Sequence, residues 1–197
     1  MAGIGLYGVY YAKATLSNGV VASYGSVKTM GAAISATWEQ AEQNANPLYA
    51  NNGIAERDAA AGGGGTLTLT LDRLKQEAAA DLFGLTSKST VISGVTGTGF
   101  EYTGNEISAP VGVGFIKWSQ EENSRAHYTA LVYAYALFSP PTENFATMGE
   151  SVEWQTPEIS AIVSGPAVTG SFAWRAVSDF PDQASAIAYI NQFFAGS

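Results

Sequence analysis

One stretch of the chain is apolar on both sides of an extended strand. Its first face carries Tyr128, Ala130, Val132, Ala134, Ala136 and Phe138, and its second face carries Leu131, Tyr133, Tyr135 and Leu137. A sheet with one solvated side has polar residues at every second position. The pattern therefore predicts a strand covered twice, by a second sheet, a helix or another subunit. Tyr133 and Tyr135 become predicted core or subunit-interface residues.

The composition is typical of a packed protein with few charges on its surface. Hydrophobic residues make up 46% of the 197-residue chain and charged residues only 13%, which argues against disorder. We therefore predict one domain over residues 1–197, with some apolar surface left for partners. The chain has no cysteine, so disulfides and thiolate metal sites are excluded.

Targeting signals are not evident in the sequence. No stretch approaches the roughly 20 apolar residues of a membrane helix. The apolar start, Met1–Ala12, has no basic residue before its apolar run, unlike a secretory signal. We expect synthesis in the cytoplasm.

The charge distribution is acidic, with a formal net charge of −8. This argues against sequence-independent nucleic-acid binding, because phosphate neutralisation needs clustered Lys and Arg. No basic residue lies between Arg125 and Arg175, an interval that holds the acids Glu143, Glu150, Glu153 and Glu158. Two interpretations stay open: a solvated acidic face, or a surface that repels DNA without binding it, as the wall of a conduit would.

Several segments have the period of strands. Gly31–Gln40 alternates, with Ile34 and Trp38 on one side, and Thr66–Leu71 (TLTLTL) places its three leucines on one face. Val111–Gln120 and Arg125–Ser139 are predicted to form a hairpin, and further short strands are expected around Thr90–Ser93, Ser151–Thr156, Glu158–Gly165 and Ser171–Val177.

Two helices are predicted beside these strands. Asp72 is expected to cap a helix over Arg73–Phe83 that ends at Gly84. Pro181 is expected to open a C-terminal helix over 182–194. Many strands with two helices indicate a mostly β protein, a β-sandwich or barrel with a flanking helix.

A long segment, Ala41–Ala61, interrupts this pattern. It is rich in Asn and Ala, contains Pro47 and Gly53, and has no helical stripe. Loops of about 20 residues in compact domains are usually functional or disordered. Leu48 and Tyr49 within it favour an ordered contact.

The sequence offers little support for catalysis. The single histidine is His127, and the sequence contains no G-x-S-x-G motif that would supply a nucleophilic serine for it to activate. The glycine runs 62–65 and 94–99 lack the phosphate-loop and dinucleotide-binding patterns. The tryptophans could form a stacking platform for sugars or bases, but their placement in strands favours core or interface roles. We therefore predict no enzyme activity and no catalytic, cofactor-binding or metal-binding residue.

Read in order, three blocks resemble the major tail proteins of long-tailed, non-contractile bacteriophages, which form the tail tube. The first is Gly5–Ala12 (GLYGVYYA). The second runs from Ala33 to Leu85 and contains AISATWEQAEQNANPLYANNGIAE, TLTLTLDRL and AAADLFGL. The third lies within 111–163 and contains VGVGFIKW and HYTALVYAYALFSPPTENFATMGESVEWQTPEISA. The stretch after Gly170 matches less clearly.

This resemblance implies a β-sandwich flanked by a helix, six copies of which form a ring. Rings would stack into a tube through the loop 41–61 and terminal arms, here about 1–12 and a C-terminal extension about 171–197. Inter-ring contacts would then fall on Leu48, Tyr49, Ala50, Asn51 and Asn52. The acids named above become candidate lumen residues past which DNA slides without sequence-specific binding.

The resemblance also implies partners and a location. The partners would be other copies of the chain, a tape-measure protein and tail initiator and terminator proteins, and the protein would reside in the virion tail after synthesis in the host bacterial cytoplasm.

The alternative function is a carbohydrate- or receptor-binding β-sandwich that uses Trp38 or Trp118 on an exposed face.

Overall fold

The computed structural model describes residues 3–41, 46–50, 53–58, 63–120, 126–141, 156–165 and 173–196. The strands in this part of the chain are β1 (Gly3–Ser17), β2 (Val20–Tyr24), β3 (Lys28–Gly31), β4 (Ala33–Gln40), β5 (Asn46–Ala50), β6 (Gly53–Asp58), β7 (Gly64–Leu71), β8 (Thr86–Ile92), β9 (Val95–Glu101), β10 (Val111–Gln120), β11 (Ala126–Phe138), β12 (Glu158–Ser164) and β13 (Arg175–Phe180). The helices are α1 (Gln76–Phe83) and α2 (Gln183–Ala195).

One large antiparallel sheet organises the molecule. Its strand order is β2-β1-β10-β11-β12-β7-β4, with β3 added to β1 and β13 added to β11. The hairpins β5–β6 and β8–β9 form two further small sheets. The predicted fold class is confirmed: the protein is mostly β, sandwich- or barrel-like, with a flanking helix. Residues 3–12, predicted as an arm, form the first part of β1 and pair with β10.

The inner face of the sheet encloses the main core. Leu67, Leu69 and Leu71 of β7 are fully buried there, as the TLTLTL alternation predicts. They pack in one cluster with apolar residues of β1, β10, β11 and β12 and with α1, which contributes Ala78, Leu82 and Phe83. A one-residue slip of β7 would expose all three leucines, so burial fixes its register.

The outer face of β1, β10 and β11 is covered by α2. Ile190 and Phe194 of the helix pack against Ile116, Ala130 and Val132 of the sheet in a second apolar cluster. Two glycines of β10 make this close approach possible. A Cβ on Gly112 would lie 2.2 Å from Cε1 of Phe194, and one on Gly114 would lie 2.8 Å from Cγ2 of Ile190.

The double cover predicted for the apolar strand is therefore present, but the assignment of residues to its two faces is wrong beyond Tyr133. Val111 pairs with Ala136 whereas Val113 pairs with Tyr133, so β11 carries one extra residue at this point. Such a bulge reverses the alternation. Ala136 and Phe138 consequently join Tyr133 in the inner core, while Ala130 and Val132 face α2.

The bulge is also where the sheet divides. Residues 128–133 of β11 pair with β13, and residues 136–138 pair with β12. The bulged backbone is satisfied on both sides: the N–H of Ala134 donates to the carbonyl of Trp174 at 2.9 Å, and the Tyr24 hydroxyl donates to the carbonyl of Ala134 at 2.5 Å. A single strand thus serves two branches of the sheet.

Both predicted helices exist, with corrected beginnings. Asp72 does not cap α1; its Oδ1 accepts from the N–H of Ala32 at 2.8 Å, and α1 begins at Gln76. Gly84 ends α1 in the left-handed conformation, as predicted. In α2 the N-cap is Asp182, which accepts from the N–H of Ser185 at 2.8 Å, so Pro181 precedes the cap instead of opening the first turn.

Four strand predictions need correction or fall partly outside the described residues. Ile34 is 54% exposed because a register shift between Ala33 and Ser35 turns it away from the core. The strand expected around 90–93 is a hairpin over 86–101. The strand expected over 171–177 is shifted: it is β13, which begins at Arg175 and ends at Phe180. The strand predicted for 151–156 lies almost wholly outside the described residues.

Within the described chain, no helix is long and apolar enough to cross a membrane.

Candidate assembly surfaces

One face of the sheet is lined almost entirely by hydroxyl and carboxylate groups. We call this the hydroxyl face. It is the side of β4, β7 and β12 opposite the main core, and the register places three residues from each strand in adjoining rows. Its members are Ser35, Thr37, Glu39, Thr66, Thr68, Thr70, Glu158, Ser160 and Ile162.

Hydrogen bonds between neighbouring strands order this face. The Ser35 hydroxyl donates to Oγ1 of Thr70 at 2.8 Å, and the hydroxyl oxygens of Thr68 and Ser160 lie 3.3 Å apart. Glu39 and Glu158 are exposed at its margins. Because the hydroxyl face contains no Lys or Arg, its fixed charge is negative.

The predicted lumen acids have different outcomes. Glu158 begins β12 and belongs to the hydroxyl face, opposite Thr70. Glu143, Glu150 and Glu153 lie outside the described residues. Glu39, which the sequence analysis did not single out, joins Glu158 on the same face. The sequence did contain a signal for Glu39: the alternation of β4 puts it on the face of the strand opposite to that of Trp38.

The segment predicted as an inter-ring loop contains a hairpin. Strands β5 and β6 pair antiparallel with each other, and within the described residues they pair with no strand of the large sheet. The hairpin lies in the chain between β4 and β7, which are themselves antiparallel neighbours. Leu48, Tyr49 and Ala50 belong to β5, and Asn51 and Asn52 lie outside the described residues.

The two tyrosines of the doubly apolar strand occupy different environments. Tyr133 is fully buried, with its ring centroid 4.8 Å from that of Trp38 and 6.1 Å from that of Phe115. Tyr135, on the other side of the bulge, is partly exposed. Tyr133 is therefore a core residue.

An arginine that the sequence analysis did not select lies beside this aromatic cluster. The guanidinium carbon of Arg175 is 6.0 Å from the ring centroid of Trp38 and 5.8 Å from that of Tyr133, which is within cation–π range. Burial raises the pKa of Tyr133, and the positive charge of Arg175 lowers it in part. The sequence feature that could have drawn attention to Arg175 is its place at the end of a long interval without Lys or Arg.

A polar cluster fastens α1 to the sheet. Oδ2 of Asp81 accepts from the Tyr11 hydroxyl at 3.0 Å and from Nζ of Lys28 at 2.9 Å, and Lys13 lies 3.4 Å from its Oδ1. Burial alone would raise the pKa of Asp81, but the hydrogen bonds from Lys28 and Tyr11 and the two lysine charges hold it below its ordinary value. The pKa of Lys28 is raised, chiefly by its hydrogen bonds to Glu77 and Asp81.

The hairpin β8–β9 is exposed along most of its length. Its turn has positive φ at Ser93 and Gly94, the geometry of a tight two-residue hairpin. Val91, Ile92 and Val95 at its tip are 65–72% exposed. Gln76 at the start of α1 donates to the carbonyl of Thr98 at 3.2 Å and ties the hairpin to the body of the domain.

The residues considered for chemistry occupy structural positions. Trp38 packs between Tyr133 and Trp174, and Trp118 packs against Gly5. His127 is partly buried on β11, paired with Ser119. Across the described ranges, no three His, Asp or Glu side chains are grouped closely enough to hold a metal ion.

Comparison with known proteins assigns no relative: no family model matches the chain, and no curated protein matches it significantly.

Proposed function

We propose that this protein is the repeating subunit of the tail tube of a long-tailed, non-contractile bacteriophage. Six copies would close into a ring, and stacked rings would form the conduit through which the genome leaves the virion. The order of the three sequence blocks and the mostly β fold with its flanking helix support the proposal. The chain would act by self-assembly, so no residue needs to react.

The observation that carries the proposal is the hydroxyl face. DNA has one negative charge per about 1.7 Å of helix axis, so a wall past which it slides should offer no cation to hold a phosphate. The hydroxyl face meets this requirement over three strands, with Glu39 and Glu158 as repelling charges. We propose that this face lines the lumen.

The hairpin β5–β6 is the proposed inter-ring contact. It is set apart from the large sheet in the described chain and emerges between β4 and β7, the strands that also carry most of the hydroxyl face. A contact placed there would join one ring's channel wall to the next. Leu48, Tyr49, Ala50, Asn51 and Asn52 remain the proposed contact residues.

Assembly in a virion would involve further proteins. A tape-measure protein would set the tube length, and initiator and terminator proteins would begin and end it. DNA would pass through the lumen without sequence-specific binding. We place the mature protein in the tail and its synthesis in the host cytoplasm.

Negative-stain microscopy and sedimentation velocity of the purified protein test the proposal. Rings or tubes with sixfold end views are expected, at high protein concentration or after seeding with tail extracts. Replacing residues 46–58 with a short Gly-Ser linker should leave the circular dichroism spectrum of the large sheet intact and permit rings but not tubes. Unaltered tubes would refute the hairpin assignment, and dispersed monomers under every condition would refute the proposed function.

The lumen assignment has its own test. Tubes carrying Glu39→Lys and Glu158→Lys should retain short DNA duplexes that resist nuclease digestion at low salt, whereas wild-type tubes should not. Glu101→Lys, a single charge reversal on strand β9 of the exposed hairpin, is the control for DNA bound outside the tube, because such DNA stays open to nuclease. Equal protection in the two variants would contradict the lumen assignment.

A carbohydrate- or receptor-binding module is the alternative. It predicts a stable monomer whose glycan affinity is lost in Trp38→Ala or Trp118→Ala. The packing of Trp38 against Tyr133 and Trp174 favours a core role instead. A glycan array on the same purified sample distinguishes the two functions.

A further inference from the structure

The division of the sheet creates a notch that is filled by aromatic rings and one cation. Strands β12 and β13 leave the same edge of β11 on either side of its bulge. Arg175 is the first residue of β13 and pairs with Tyr133 of β11. Its guanidinium lies beside the rings of Trp38 and Tyr133, and the Trp174 ring packs 6.1 Å from that of Trp38.

This cation has no anionic partner in the part of the chain that the structure describes. Its Nε is buried and lacks a hydrogen-bond acceptor. By contrast, Lys13 and Lys28 pair with Asp81, and Lys88 pairs with Glu101. Arg175 is only partly exposed, its buried Nε has no acceptor among the described residues, and a guanidinium fork matches a carboxylate with two parallel hydrogen bonds. The rings of Trp38 and Tyr133 both lie within cation–π range of that fork.

We propose that Arg175 is an inter-subunit contact that receives a carboxylate from a second copy of this chain. The inference rests on the proposed function, since it requires self-assembly. Charge complementarity selects the occupant: the chain has 17 acidic and 9 basic residues, so each copy carries more carboxylates than it can neutralise.

The surroundings of Arg175 fit a neighbouring subunit. The edge of β13 that faces away from β11 is unpaired within the described residues, and Val177 on this strand is 51% exposed. An open strand edge, an exposed valine and a guanidinium with no anionic partner among the described residues together form a surface that a second chain can cover.

The first test compares Arg175→Met with Arg73→Met. Both remove one arginine charge, but Arg73 has an 80% exposed side chain 3.9 Å from Asp72 and lies away from the notch. The methionine at position 175 keeps an apolar stem over Trp38. We expect Arg175→Met to stay folded, with near-UV circular dichroism like wild type, and to raise the protein concentration needed for assembly at least about tenfold. Arg73→Met should change it less than twofold.

The second test identifies the occupant. In assembled Arg175→Lys, a carbodiimide should join the introduced amine to the carboxylate that it contacts, with loss of water. Mixing isotope-labelled and unlabelled copies then shows by mass spectrometry whether the amide links two chains. If Arg175→Lys folds without assembling while Arg73→Lys assembles, the requirement for the planar fork is supported.

Three results would overturn the inference. They are wild-type assembly by Arg175→Met with only a lower melting temperature, an equal loss in both methionine variants, and a crosslink confined to one chain. Failure of the wild-type protein to assemble would instead refute the proposed function, so the two failures are distinguishable.

Discussion

The outer faces of the two halves of the sheet are built in opposite ways. Over β1, β10 and β11 the outer face is apolar, and two glycines bring α2 against the backbone. Over β4, β7 and β12 the outer face is the hydroxyl face, with threonines and serines at positions that alternate with core residues. Both halves share one main core.

The difference shows how the same sheet can be closed on one side and open on the other. A strand apolar on both faces must find a second cover, and here the chain supplies it as α2. A strand with leucines inward and threonines outward needs no second cover, because water solvates its threonine face. The half that needs no cover is the half that would face the channel in the proposed tube. Four tests show how independent the two halves are.

Phe194→Ala should have the largest effect, a loss of about 3–5 kcal/mol in the free energy of unfolding. The ring is almost fully buried between α2 and the sheet and packs edge-on against Tyr24 with centroids 4.9 Å apart. Urea unfolding measures the loss. A change below about 1 kcal/mol would mean that α2 is not needed to close this half.

Leu69→Ala and Thr68→Ala test the other half, using adjacent residues of β7. Leu69 is fully buried, so its truncation should cost about 2–5 kcal/mol. Thr68 lies on the hydroxyl face, and its truncation should stay within about 0.5 kcal/mol. Comparable losses in the two variants, measured by urea unfolding, would show that the hydroxyl face is covered within the subunit.

Gly112→Ala tests the close packing of α2 on β10. The added methyl group would lie 2.2 Å from Cε1 of Phe194, and such overpacking should cost about 1–3 kcal/mol. The control is Gly99→Ala, where a Cβ meets nothing within 4 Å. The penalty at Gly112 should shrink in a Phe194→Ala background, because the clash is then relieved; strict additivity would contradict the proposed contact.

Apart from the outward-facing Thr68→Ala, Asp81→Asn should give the smallest loss in the free energy of unfolding, about 1 kcal/mol at neutral pH. The carboxylate is only partly buried, and screening by solvent weakens its ion pairs. The pKa of Asp81 is lowered in the folded protein. Its stabilisation is therefore complete above the unfolded-state pKa, near 4, and is lost as pH falls through the lower folded-state pKa. Urea unfolding between pH 2.5 and pH 7 should show wild type and variant converging at the acid end. If the unfolding free energies of the two proteins instead differed by the same amount at every pH, the charge of Asp81 would not contribute to stability.

Much of the fold followed from periodicity. Strand β10 has the predicted bounds, the three leucines of β7 are buried as predicted, and α1 ends at the predicted glycine, because each depends on a local pattern. The outward positions of β4 and β7 followed from the same alternation. What lines a proposed channel was therefore visible in the sequence, although Glu39 was not singled out.

The rest depended on contacts between distant segments. The bulge in β11 falls at Ala134 and Tyr135, residues that are ordinary in any strand, so nothing local marked the reversal of its faces. Asp72 was as suitable for capping α1 as for holding the N–H of Ala32, and tertiary packing decided between them. The glycines of β10 did carry a signal, since glycine at alternate positions of a strand indicates close approach by another element.

The packing of α2 on the sheet has a consequence for how the protein folds during synthesis. The helix formed by residues 183–195 covers strands that begin at residue 3, and Phe194 meets Tyr24 and the backbone at Gly112. During synthesis the outer side of β1 and β10 therefore stays uncovered and apolar until residues 183–195 have left the ribosome. A nascent chain truncated before residue 183 would expose that apolar face, and aggregation would compete with folding.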